Sequence, residues 1–319
     1  MTNTEKIQVC QRIVNQIQAE NRRPVCRLHL SRQPFGVADS HLGGTPYVPH
    51  HEQIPTDIKG SQLWLCAQIN FAQMPPMEGF PETGLLQIFL EDWHFGDFGL
   101  EGDTFPPQDY WRMVYYPEID STVTMAECEA KMAVPWAQAK RSHMPRPANR
   151  FDLDDIQRGN DRLWRCPDVP LKVDFQPVEQ EAINDEDFRF DQLFADAVKA
   201  CLPDADPEEL MPYRLRDDTP EERETLQKIR EQIKNGGCKL GGYPNYLQDD
   251  PRLYDDKDEG WAQCDTLLLQ LYDDTYAYPQ EDIRGMDLDL NGGPINFVIR
   301  AEDLRKRDFS RVLAQWACT

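Results

Sequence analysis

The chain has 319 residues, a net charge of −22 at neutral pH and a sequence pI near 4.6. A chain of that length can bury one large core or two modest ones. Its acidity argues against nucleic acid and anionic lipid as partners, and no run approaches the ~18 consecutive apolar residues of a membrane span.

The opening Met1-Thr2-Asn3-Thr4-Glu5-Lys6 lacks the basic and then apolar stretch of a secretory signal, so a cytoplasmic protein is expected. The nine Cys agree with a reducing compartment. None lies closer than 16 residues to the next and no C-x-x-C occurs, so they are expected as reduced, buried, small apolar residues. The charge is uneven. Residues 1–150 carry 13 Lys/Arg and 17 Asp/Glu, a net of −4; residues 151–319 carry 21 and 39, a net of −18. A field of that sign attracts a basic protein partner if the acidic runs share one face; otherwise it serves solubility.

In chain order, Ile7, Cys10, Ile13, Val14 and Ile17 recur at helical spacing and predict a helix over 5–20, ended by Pro24. Residues 26–30 alternate like a strand. Residues 63–69, 84–90 and 110–116 read as buried strands separated by Gly- and Pro-bearing loops. From Pro117 to Glu181 the pattern weakens, broken by six further prolines, with a short strand at 171–175. Residues 187–202 predict a helix that places Phe188, Phe194, Val198 and Cys201 near one face. Thr219-Pro220-Glu221-Glu222 opens another with an N-cap Thr, which stops at Gly236-Gly237. Residues 266–271 and 297–299 read as strands and 301–304 as a helical turn. For 309–316 the periodicity does not choose between strand and helix.

Three short blocks occur twice in one order. Leu42-Gly43-Gly44-Thr45-Pro46 matches Leu240-Gly241-Gly242-Tyr243-Pro244. Leu65-Cys66-Ala67-Gln68 matches Leu267-Leu268-Leu269-Gln270. Gly84-Leu85-Leu86-Gln87-Ile88-Phe89-Leu90 aligns with Gly292-Gly293-Pro294-Ile295-Asn296-Phe297-Val298. The order predicts an internal duplication. The expected fold is α+β, mainly antiparallel sheet from two duplicated β-rich halves at 25–120 and 236–319. An irregular and helical connection spans 121–235, helices sit at the N-terminus and between the halves, and 1–319 forms a single compact unit.

These blocks, with Asn70 and residues 297–304, resemble the YwqG-like family, a bacterial domain of unknown function. The resemblance covers most of residues 24–317. It implies an α+β fold with duplicated halves, carries over no catalytic residues and gives an immunity or binding role by analogy alone.

Several constellations suggest chemistry. Asp287-Leu288-Asp289-Leu290-Asn291-Gly292 opens like a calcium loop, but Val298 stands at position twelve, where a bidentate Glu is required; Asn-Gly between alternating runs fits a hairpin better. His41, His50, His51 and His94 could converge on a metal only if distant segments meet, and His50 and His51 cannot both point one way in an extended segment. No tightly bound zinc or calcium, and no cofactor, is expected. Gln68 and Gln270 sit inside apolar runs and need hydrogen-bond partners. Each either satisfies the adjacent Gly-Gly loop backbone, which is favoured, or faces a groove shared by the two halves. Trp93, His94 and Tyr272 could line that groove. No catalytic residue and no oligomeric state can be assigned. Two functions remain open: an acidic interaction protein, such as an immunity-type neutraliser of a basic protein partner, or an enzyme or small-ligand binder with a site between the halves.

Overall fold

A computed structural model of the protein describes residues 1–58, 60, 62–90, 111–133, 170–247, 250–254, 260–272 and 293–316. It is a mixed α/β structure with five α-helices among the described residues, built on one large antiparallel sheet.

Helix α1 (Asn3–Glu20) starts with a capping box. Thr2 accepts from the Glu5 N–H and the Glu5 carboxylate returns to the Thr2 N–H. Its stripe of Ile7, Cys10, Ile13, Val14 and Ile17 is buried. A single residue, Asn21, joins it to strand β1 (Arg22–Ser31). Pro24 therefore does not end the helix. It lies inside β1, opposite Gln180, and its carbonyl accepts from the Gly242 N–H at 2.8 Å.

The other strands are β2 (His41–Leu42), β3 (Trp64–Asn70), β4 (Leu85–Leu90), β5 (Trp111–Tyr116), β6 (Leu171–Phe175), β7 (Glu179–Ala182), β8 (Lys239–Gly241), β9 (Thr266–Tyr272), β10 (Pro294–Ile299) and β11 (Leu313–Trp316). Their order across the sheet is β11-β10-β9-β8-β1-β6-β2-β3-β4-β5, and β7 continues the β6 edge of β1. The undecided stretch near the C-terminus is thus a strand over 313–316. The short strands β2, β7 and β8 carry too little pattern to be read from sequence.

The sheet curls until its ends meet. Trp111 on β5 lies 6.1 Å from Phe297 on β10, ring centroid to centroid, although these strands stand near opposite ends of the order. The enclosed core takes alternate residues from every arm: Cys26, Leu28 and Leu30, Leu86 and Ile88, Leu171 and Val173, Leu269 and Leu271, Ile295 and Phe297. Alternation fails at two places. The β3·β4 register shifts between Leu65 and Ala67, and the β9·β10 register shifts across Phe297/Val298, opposite Leu269 and Leu267. These bulges at Cys66 and Leu268 let the adjacent pairs Cys66-Ala67 and Leu268-Leu269 both face inward.

Helices α3 (Phe190–Cys201) and α4 (Pro220–Gln232) pack with α1 on a second core of Ile13, Ile17, Phe190, Phe194, Leu226, Ile229 and Tyr243. Helix α3 begins later than its periodicity predicts. Asp187 stays outside and takes N–H groups instead, and Phe188 is exposed rather than packed on the helix face. Helix α2 (Met125–Lys131) closes a third cluster over β3 to β5, and α5 (Ala301–Lys306) follows β10. No described helix is long and apolar enough to cross a membrane.

Candidate functional site

The outer face of the sheet carries a row of polar side chains, because directly opposed residues of antiparallel strands share a face. On one arm the register aligns Arg27, Lys239, Gln270, Asn296 and Gln315. On the other it aligns Lys172, His41, Gln68 and Gln87. Most are buried, so each needs partners.

Gln68 is 0 % exposed. Its Nε2 donates to the carbonyls of Val37 and Asp39, and its Oε1 accepts from the Tyr47 N–H at 2.9 Å and from Gln87 Nε2 at 2.7 Å. Gln270 donates to the Gly237 carbonyl and accepts from the Asn245 N–H at 2.8 Å. Both amides bond the loops around the glycine turns. They also lie apart, with β8, β1, β6 and β2 between their strands. Tyr272 ends β9 half-buried, its backbone N–H on the Cys238 thiol. Trp93 and His94 lie outside the described residues, as does the Asp287–Gly292 turn. The histidines do not converge: His41 is buried in the sheet, whereas His50 meets Thr122 on an exposed loop and His51 is exposed. Among the described residues no group of three His, Cys, Asp or Glu side chains is arranged to hold a metal.

The two glycine turns differ in what lies beneath them. At the first, His41 stacks on Phe35 with ring centroids 4.3 Å apart and planes 16° apart. Its Nδ1 donates to the Gly43 carbonyl at 2.7 Å, and the buried Nε2 has no partner among the described residues. Burial lowers its pKa to about 4, so the ring is neutral. At the second, Lys239 and Glu181 form a buried ion pair at 2.8 Å, with side chains 0 % and 2 % exposed. Lys239 Nζ also donates to the Tyr243 carbonyl at 2.7 Å, and the Tyr243 N–H donates to Glu181 Oε2 at 2.7 Å. Arg27 supplies one more N–H to Glu181 at 2.9 Å. Burial lowers the Lys239 pKa to about 8, against the pull of the carboxylate. The pair thus grips both backbone polar groups of Tyr243.

Held this way, the Tyr243 ring carries the Arg23 guanidinium 4.6 Å from its centroid, within cation–π range, and the Arg189 guanidinium lies 5.8 Å away. Arg189 binds Asp187 at 2.8 Å. Arg252 binds Asp250, reaches Asp187 at 3.3 Å and lies over Phe188. Burial opposes ionisation of Asp187, yet hydrogen bonds from Arg189 and the charge of Arg252 hold its carboxyl below the usual range. Three arginines and two aspartates thus cluster at one turn of a strongly acidic chain.

Arg23 also forms a wall of a cleft of about 300 Å³. Gly241 and Gly242, the start of β9 and helix α5 line one side; Glu78 to Phe80, from the loop between β3 and β4, line the other. That volume reaches the lower end of the range for small-molecule sites. The sequence put Lys239 at the head of the second repeated block but gave no sign of its partner. Glu181 lies in a short strand without alternation, and Arg23 in a strand read only from residue 26.

One family model matches residues 40–318, and it describes a domain of unknown function (DUF1963). The chain belongs to this family. The match does not single out the YwqG-like group within it. It spans both glycine turns and most of the cleft, while Arg23 lies ahead of the matched segment. No curated protein matches the chain.

Proposed function

We propose that this DUF1963 protein is a small-ligand-binding protein whose site is the cleft beside the second glycine turn, on a sheet built from a duplicated unit. The cleft carries the reading. It is large enough for a small molecule, mixes apolar and charged walls, and lies where a loop of the first half meets strands and a helix of the second.

Support for the duplication lies in hydrogen bonds. His41 opposes Gln68 and Lys239 opposes Gln270. Tyr47 and Asn245, each six residues further on, donate an N–H to the Gln and offer a carbonyl to Gln87 and Asn296 respectively. Asp39 and Gly237, each two residues earlier, accept from it. Gln87 therefore corresponds to Asn296, which moves the third sequence block by one residue. The bulges fall at matching places, Cys66 and Leu268. The halves are joined as well: β1, which leads the first half, lies beside β8 of the second, and β6 of the connection runs between β1 and β2.

The alternative, an acidic interaction protein or immunity-type neutraliser of a basic partner, draws on charge alone. Several carboxylates of the acidic runs are paired within the chain, most of them on the surface. Glu208 binds Arg214, Glu209 binds Lys6, Asp217 binds Arg223 and Glu224 binds Lys228, while Asp250 is buried against Arg252. The runs at 255–259 and 273–274 lie outside the described residues.

The test is a thermal-shift survey of the full chain against a chemically mixed set of small metabolites, repeated on Thr266→Trp, which fills the cleft from the start of β9. At least one compound should raise the melting temperature of the parent and leave the variant unmoved. A parent that answers none of them, or a variant that answers equally, overturns the assignment.

A further inference from the structure

We propose that the cleft takes a small molecule carrying an oxyanion, a carboxylate or a phosphate, gripped by Arg23 and by Arg305 at the rim; this rests on the cleft being the ligand site. Arg23 offers five N–H donors. One, on Nη1, goes to the Asp265 carbonyl at 2.8 Å, and no carboxylate pairs with Arg23 among the described residues. The guanidinium is half-buried, its face covered by Tyr243. Burial depresses its pKa, and the neighbouring Arg189 and Arg252 guanidiniums depress it further. Asp187, the nearest counter-charge, is already shared by those two arginines.

A partly desolvated cation next to two others, without an anion of its own, is unfavourable unless something supplies the charge. An oxyanion does so and matches the planar fork in a bidentate pair. Arg305 is exposed on α5 and has no ion pair among the described residues. The Asp265 carboxylate is held by the Ala301 N–H at 2.8 Å and the Thr266 hydroxyl at 3.0 Å, both on Oδ1, and makes no ion pair with Arg23. Phe80 and Leu304 supply apolar wall for the rest of the molecule. In a chain of net −22, so local an excess of unpaired arginine fits recognition of a particular small anion rather than attraction at long range.

Phenyl phosphate and phenylacetate serve as probes in ligand-observed NMR and calorimetric titrations of the full chain, with benzylamine and benzyl alcohol as cationic and neutral controls. At least one anion should bind saturably, weakened at least tenfold by Arg23→Gln and severalfold by Arg305→Gln, and benzylamine should not bind. Preference between the two anions separates phosphate from carboxylate. Arg305→Gln changes an exposed side chain and keeps the test valid should Arg23→Gln fold poorly. Saturable binding of either control without the anions overturns the oxyanion class and leaves the cleft as a ligand site. Anion binding that neither variant weakens overturns the assignment to these arginines. Silence from all four probes together with a flat thermal-shift survey removes both the class and the site.

Discussion

At the first glycine turn a neutral imidazole lies flat on a phenyl ring; at the second a lysine and a glutamate occupy the place. His41 and Lys239 each face a buried Gln across the next strand, and each reaches a carbonyl of its own turn. The backbone around them is alike, with two successive left-handed glycines in both turns. What a turn of this kind demands is a donor for its carbonyl and no bulk at the second glycine. A ring or an ammonium can meet the first demand, provided the neighbouring segment changes with it: Phe35, in the loop before β2, accompanies the ring, and Glu181 of β7 the ammonium. Only the ionic version also fixes the Tyr243 N–H, and among the described residues it is beside this turn that arginines gather at a cleft. The chemistry under the second turn is thus what distinguishes the candidate ligand site from its quiet counterpart.

The largest effect expected from this contrast follows removal of the Glu181 carboxylate. Glu181→Ala leaves the Lys239 ammonium buried and the Tyr243 N–H unpaired. Breaking a buried pair from one side costs roughly 3–5 kcal/mol, which urea unfolding measures. Glu181→Leu with Lys239→Met removes both charges, and most of the loss should return because no lone charge remains. A single variant that loses under 1 kcal/mol would mean the pair does not hold the turn.

The halves of this contrast were unequally legible in sequence. The glycine turns, Gln68, Gln270 and the apolar runs can be read because each is local, a few residues of one type in one order. Helix α1 follows from period and α4 from its capping signals in the same way, whereas the antiparallel character comes through the family resemblance. The ion pair cannot be read so, because Glu181 stands 58 residues from Lys239, in a strand that shows no alternation. Nor can the curl that brings Trp111 to Phe297, which depends on how all the strands twist together. The bulges at Cys66 and Leu268 hide in plain view: consecutive apolar residues suit a fully buried strand as well as a bulged one. Phe188 misled for a related reason. Six residues put it about 120° from Phe194 around a helix, and Asp187 is engaged by Arg189 and Arg252, so the chain turns into the helix only after residue 189.

A smaller effect is expected at the first turn, and it is one of pH. The folded state holds His41 neutral down to about pH 4, whereas an unfolded histidine titrates near 6.5. Between these values the unfolded chain binds more protons, so stability is complete above about pH 6.5 and falls as the pH drops towards 4. The loss amounts to roughly 3 kcal/mol at most. His41→Leu should flatten this slope in urea titrations at pH 7, 5.5 and 4.5, while other titrating groups keep theirs. An unchanged slope would show that His41 is reached by protons in the fold.

The finest comparison is between Gly44 and Gly242, the second glycine of each turn. Their φ angles are 83° and 73°, a region where any side chain costs about 1 kcal/mol or more. That cost is common to Gly44→Ala and Gly242→Ala and cancels between them. What remains is the neighbour each new methyl would meet. At Gly44 it would stand 3.0 Å from Cβ of Pro170, a contact that a shift of a few tenths of an ångström relieves. At Gly242 it would stand 2.2 Å from Oε2 of Glu181. That oxygen cannot withdraw without loosening Lys239 and the Tyr243 N–H at once. Gly242→Ala should therefore cost about 1–2 kcal/mol more than Gly44→Ala, the weight of one or two buried hydrogen bonds made worse. The variants also differ in reach: only Gly242→Ala should disturb Tyr243, and with it the seat of Arg23. Equal unfolding free energies, or the larger loss at Gly44, would show that the carboxylate yields more easily than its partners suggest.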